Sequence, residues 1–132
     1  SDGRQKLTPE AYGFGLSQLL EEISSKASVM VLGMTAVDEH VMPYAECLWY
    51  GNAAIEAMEA AAAEACRDAD VPFLSLHSAM VAEPDWLSWI EPDGIHLNSD
   101  GHSWVERQVV EWPALLKWAG FESLNTATKL VM

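Results

Sequence analysis

Basic residues are scarce. Seven Lys and Arg stand against twenty Asp and Glu in a chain of 132 residues, a formal net charge of −13. The seven are scattered, so no basic stripe is on hand to neutralise a phosphate backbone, which argues against DNA or RNA as a partner. The same excess of carboxylates disfavours contact with anionic membranes. Cysteine is equally sparse. Cys47 and Cys66 stand nineteen positions apart with no Cys-x-x-Cys and no paired histidine spacing, so two buried free thiols on a helix are expected. A reducing compartment fits that usage. No apolar run approaches the ~18–20 residues of a membrane span, and no signal peptide opens the chain. A cytoplasmic location is therefore slightly favoured as an expectation. An initiator Met is also lacking: the chain opens Ser1-Asp2-Gly3, as a piece of a longer gene product would. There is no internal repeat and no low-complexity linker.

What is present is a globular composition. Half of the residues are apolar, enough to bury one core, and the length suits a single domain over 1–132. Thr8-Pro9-Glu10 starts a helix, with Thr as N-cap and Pro at the first helical position. Tyr12, Leu16, Leu19, Leu20 and Ile23 share one face of it. Val29 to Leu32 is an unbroken apolar run ending at Gly33, the pattern of a strand buried on both faces. A long helix is expected from about Tyr44 to Arg67, with Leu48, Ile55, Met58, Ala62, Ala65 and Cys66 as its apolar stripe and an alanine-rich run from Ala60 to Ala65. Val71 to Leu76 is a second strand. Glu83 to Pro92 is irregular, with one helical turn at Trp86 and Trp89. A last helix from near Ser99 buries Val105, Val109, Trp112, Leu116 and Ala119, is interrupted by Pro113, and ends at Gly120. The tail from Phe121 to Met132 has no assignable pattern.

The order helix, strand, helix, strand, helix points to an α/β fold with a parallel sheet. Two strands are too few for such a sheet. Each βα unit takes on the order of 30 residues, so a five-stranded version needs roughly 150 or more. Two or three N-terminal strands are expected to be missing from this chain. An exposed strand edge follows, and with it a companion N-terminal segment or a homo-oligomer as partner.

The most informative stretch is Asp93-Gly94-Ile95-His96-Leu97-Asn98-Ser99-Asp100-Gly101-His102. An Asp three residues before a His, on a tight loop with Gly94, lets the carboxylate reach Nδ1–H of the imidazole. That bond fixes the tautomer and leaves Nε2 free to take a proton from a hydroxyl. Asn98 or Ser99 caps the helix that follows and holds the loop. Spacing alone leaves a second reading open, an aspartate in a turn beside a surface histidine.

Asp93-Gly94-Ile95-His96-Leu97-Asn98, with Gly101-His102 and an amphipathic helix after it, resembles the last signature block of the SGNH/GDSL serine hydrolases. Tyr50 and Asn52 resemble the Tyr-Asn at the front of that family's long helix, and the element order over residues 8–119 agrees. The resemblance implies a three-layer α/β/α flavodoxin-like fold with a parallel sheet, of which this chain is the C-terminal part. It implies hydrolysis of a carboxylic or acetyl ester through an acyl-enzyme, with no cofactor. His96 takes the position of the general base and Asp93 that of its orienting carboxylate. The family's nucleophile stands in a Gly-Asp-Ser block, and an Asn and a Gly complete its oxyanion hole. This sequence has no Gly-Asp-Ser and no Gly-x-Asn-Asp, so the chain alone is expected to be inactive. A small ester or an acetylated sugar or lipid is the expected substrate class. The alternative is a non-catalytic α/β interaction module. A flavodoxin-like small-molecule binder would need a phosphate loop, and Gly33-Met34-Thr35 is a poor match to one.

The remaining polar and aromatic residues sort around this block. A metal cluster of Asp93, His96, Asp100 and His102 lacks the spacing of strong zinc sites, and no metal is expected. Thr35 follows the first strand at the edge where open α/β sheets carry their sites, and Trp86 and Trp89 precede the catalytic block. These three are the candidate substrate contacts, with buried packing the competing role for the tryptophans. His77 and Ser78 follow the second strand at the same edge, and a solvated loop is the plainer reading of His77. Trp104, Trp112 and Trp118 belong to the core or to an interface.

Overall fold

A computed structural model describes residues 7–121. Thr8 Oγ1 accepts from Ala11 N at 3.1 Å and Pro9 occupies the first turn, so helix α1 (Pro9–Ser24) starts where its capping signals stand. Strand β1 (Val31–Leu32) follows, then a 3-10 turn at Glu39–Val41, helix α2 (Asn52–Asp68), strand β2 (Phe73–Leu74) and a short helix α3 (His77–Val81). A second 3-10 turn at Trp86–Trp89 leads to helices α4 (Ser99–Val110) and α5 (Pro113–Trp118). Pro113 interrupts the last helical segment as expected and opens α5. Gly120 ends it at φ +87°. Of the unassigned tail, all but Phe121 lies outside the described residues.

β1 and β2 pair in parallel, Val31 opposite Phe73 and Leu32 opposite Leu74. The alternation of side chains along a strand divides the core in two. On one face Val31, Phe73 and Val71 meet Leu16 and Leu20 of α1 and Cys66 of α2. On the other face Leu74 and Leu76 meet Ala36, Met80 and Trp104 of α4. The result is three layers, with helices on both faces of a parallel sheet. Val31 N and Gly33 N donate to Pro72 O at 3.0 Å and Leu74 O at 2.7 Å. Amides alternate in direction along a strand, so the next position, Leu32, turns its backbone to the other edge of β1. Among the described residues no strand lies there.

α1 packs against α2 at Gly13, where a Cβ would make an ordinary contact, 3.5 Å from Ala61 Cβ. α2 ends in a Schellman motif. Asp70 adopts φ +57°, Val71 N donates to Cys66 O at 2.8 Å and Asp70 N to Arg67 O at 3.2 Å.

Several expectations need correction. α2 starts at Asn52, not near Tyr44, because Pro43 and the left-handed Ala45 and Glu46 turn the chain back on itself. Tyr44 and Leu48 pair across that turn. Cys47 is consequently exposed on a loop, and only Cys66 is the buried helical thiol. Desolvation pushes the Cys66 pKa up. Leu19 lies half out of the core on α1, and Ala119 is exposed. Trp104 is the buried anchor of α4, Trp112 is also buried, and Trp118 is exposed.

Candidate active site

Asp93 and His96 sit on a hairpin-like loop that joins the Trp86–Trp89 turn to α4. Ile90 and Leu97 pair across its base, Glu91 N donates to His96 O at 2.7 Å, and Gly94 N donates to Glu91 O at 2.9 Å. At the tip His96 Nδ1 lies 2.5 Å from Asp93 Oδ2. The other carboxylate oxygen accepts from Ile95 N at 2.8 Å and His96 N at 3.0 Å. All three bonds favour the ionised carboxylate. The two backbone amides and then the His96 side chain hold the Asp93 pKa down at about 2. A carboxylate fixed on Nδ1 makes that nitrogen the donor and turns Nε2 outward as a free acceptor. The His96 side chain is 64% exposed, so Nε2 is open to approach.

The loop is held from below and from the side. Asn98 caps α4 by accepting from Gly101 N at 3.0 Å, and its amide donates to Ser88 O at 2.7 Å. Gly101 lets α4 start against the Trp86–Trp89 turn, since a Cβ there would meet Trp89 O at 2.8 Å. Gly94 adopts φ +84°, and a Cβ there would stand 2.3 Å from Val41 Cγ2 and 3.0 Å from Asp38 O. Asp38 N donates to Gly94 O at 2.9 Å, so the 38–51 loop is tied to the Asp93–His96 loop.

Three further side chains organise this edge of the sheet. Asn52, the first residue of α2, closes the neck of the 38–51 loop. Its Oδ1 accepts from Val37 N at 2.9 Å and its Nδ2 donates to Val37 O at 2.8 Å. Asn52 N also donates to Glu39 Oε1 at 2.5 Å. His77 Nε2 lies 3.2 Å from the same Oδ1, which assigns the proton to Nε2. Buried Glu59 gathers both strand ends. Its Oε2 accepts from Met34 N at 3.0 Å, Leu76 N at 3.0 Å and His77 N at 3.1 Å, and its Oε1 accepts from the Ser75 hydroxyl. A hydrogen-bonded path thus runs from Glu59 through His77 and Asn52 to Val37 and the loop beside Gly94.

A family model for GDSL-like lipase/acylhydrolases matches residues 2–104, a span that includes the Asp93–His96 loop. The chain belongs to the GDSL-like lipase/acylhydrolase family. The lipase/acylhydrolase from Enterococcus faecalis has a similar structure, with a TM-score of 0.65 at 19% identity. The match covers 80% of this chain and 51% of that one, so the chain spans about half the length of that protein. At that identity the likeness concerns the fold. No curated protein matches the sequence.

Within this GDSL-like frame the expected site residues separate. Asp93 and His96 are in contact. Thr35 is half-buried just beyond β1. Trp86 and Trp89 pack on the cluster around Met80 and Trp104, and Trp89 stacks on Trp104 at 5.5 Å. His77 is buried on α3, with 4% exposure, rather than solvated on a loop, and its Nδ1 has no hydrogen-bond partner among the described residues. His102 is exposed on the first turn of α4. Among the described residues no group of three or more His, Cys, Asp or Glu could hold a metal ion. No helix among them is long and apolar enough to cross a membrane.

Sequence reasoning missed Glu59 and Tyr44. The Glu59 signal was present: Ile55, Glu59, Ala62 and Cys66 recur at helical spacing, which puts a carboxylate on the buried stripe. Tyr44, misplaced on a helix, lies beside His96 with ring centroids 6.2 Å apart. No spacing rule links two loops so far apart in the chain.

Proposed function

We propose that the chain supplies the general base and its orienting carboxylate to a serine ester hydrolase. The observation that carries this reading is the 2.5 Å contact of His96 Nδ1 with an Asp93 carboxylate whose second oxygen is fixed by two amides. In the reaction a serine hydroxyl from outside residues 7–121 attacks the ester carbonyl and gives its proton to His96 Nε2. Asp93 stabilises the imidazolium. Collapse of the tetrahedral intermediate expels the alcohol, which takes that proton from Nε2. Water then attacks the acyl-enzyme, passing a proton to Nε2, and the acid leaves as that proton returns to the serine oxygen. Thr35 at the end of β1 is the candidate substrate contact nearest the sheet edge. Trp86 and Trp89, packed on the cluster around Met80 and Trp104, are the candidate wall of the substrate pocket.

The absence of a Gly-Asp-Ser block favours one further reading, a non-catalytic module of the same fold. Hydrolysis of a simple aryl ester separates the two. The chain alone should be silent. The protein extended to include a Gly-Asp-Ser segment should be active, and His96→Ala should lower its kcat by about 10⁴-fold or more. Enzyme-like rates from the isolated chain would refute the assignment of the nucleophile. An extended protein that is inactive, or indifferent to His96→Ala, would favour the non-catalytic module.

A further inference from the structure

The 38–51 loop is closed at its neck by the Asn52–Val37 pair and carries aromatic residues to the dyad. Tyr44 flanks the His96 imidazole, with centroids 6.2 Å apart and planes at 54°, and Tyr50 stands edge-on to Tyr44 at 6.3 Å. Tyr50 is 43% exposed. Main-chain bonds hold the shelf in place: Tyr44 N donates to Leu48 O at 2.7 Å and Leu48 N to Tyr44 O at 2.9 Å. Large aromatic side chains left in solvent beside a reacting group are surfaces for a ring face. Besides Asp93, the charged groups on the same two loops are Asp38, Glu39, Glu46 and Glu91; His40 is held by Asp38 at 2.9 Å, and Glu39 Oε1 already accepts from Asn52 N. Carboxylates repel anionic headgroups and accept hydrogen bonds from hydroxyls.

The nitrogen that returns a proton to the leaving oxygen must touch it, so groups flanking the imidazole flank the alcohol half of the ester. We propose that Tyr44 and Tyr50 form the subsite for that alcohol, and that it is a neutral, hydroxyl-rich ring, a sugar unit. Aromatic faces take the C–H face of the ring and the loop carboxylates take its hydroxyls. The inference rests on His96 acting as the acid–base group.

The test uses the protein extended to carry its Gly-Asp-Ser segment. Two substrates are compared, an O-acetylated methyl glucoside and n-butyl acetate, and binding of unesterified methyl glucoside is followed separately by saturation-transfer NMR. Tyr44→Ala and the more exposed Tyr50→Ala should each lower kcat/KM for the sugar ester about tenfold more than for butyl acetate, chiefly through KM, the size expected of one lost stacking contact. Both should also weaken the NMR response of methyl glucoside. Equal losses on the two substrates, or none, would overturn the subsite, as would wild-type protein that gives no methyl glucoside response. Glucoside binding lost in both variants, with neither ester hydrolysed by wild type, would keep the sugar subsite and refute the hydrolase reading.

Discussion

Replacing Glu59 should loosen the sheet edge that carries the site, by an amount the hydrogen bonds allow to be worked out. Three backbone N–H groups converge on Oε2, the buried ones of Leu76 and His77 and the part-buried one of Met34. Alanine leaves all three without an acceptor, and each orphaned donor costs roughly 1–3 kcal/mol. Partial relaxation takes the low end, so Glu59→Ala should cost about 3 kcal/mol or more; the better helix propensity of alanine returns only roughly a few tenths. Glutamine can turn its carbonyl to the same three donors and its amide to the Ser75 hydroxyl. It loses only the charge assistance, about 1–2 kcal/mol. Gly33 tests the same contact from the opposite side. A Cβ there would lie 2.0 Å from Glu59 Oε2 and 2.7 Å from its Cδ. Gly33→Ala must therefore expel the carboxylate and should cost about as much as Glu59→Ala. In the double variant that loss occurs once, so the combined cost should fall short of the sum by about 3 kcal/mol. Urea unfolding followed by tryptophan fluorescence measures all four proteins. Strict additivity, or a Glu59→Ala loss under about 1 kcal/mol, would refute the assignment of Glu59 as the tie between the strand ends.

Two further outcomes are expected. Gly94→Ala places a side chain at φ +84° and 2.3 Å from Val41 Cγ2, and it strains the Asp38–Gly94 bond. A loss of about 3 kcal/mol in urea unfolding is expected, and a change below ~1 kcal/mol would mean that the 38–51 loop does not rest on the dyad loop. Asp93 is held at about 2 against an unfolded value of 3.8. A lowered native pKa means that the unfolded chain binds the extra proton first, so this contribution to stability is present above pH 3.8 and is lost as pH falls towards 2. The side-chain carboxyl carbon of Asp93 in NMR should titrate near pH 2, and a midpoint at the ordinary value would show that the amides of Ile95 and His96 do not hold it.

The dyad was legible in the sequence because its geometry is local. Asp93, Gly94, His96 and Asn98 lie within one turn and one helix cap, and such contacts follow from spacing. The same holds for Thr8 and Pro9 at the start of α1, and for Pro113 and Gly120 at the two ends of α5. The start of α2 was misread because alanine-rich helix propensity is a weak, additive preference. It gave no warning of a loop held by Asn52, whose partner Val37 lies fifteen positions earlier. The burial of His77 and Glu59 was equally hidden. A polar residue enters the core only where specific donors meet it, and those donors come from the ends of two strands and the first turn of α3.

Composition and local pattern determined by themselves that this is an acidic α/β chain carrying an Asp–His pair on a capped loop. Only the tertiary structure decided which aromatic ring stands beside His96, and which buried carboxylate joins the strand ends. Contacts between residues far apart in the chain arise when hydrophobic burial packs whole layers together, and no short-range rule of spacing encodes the outcome.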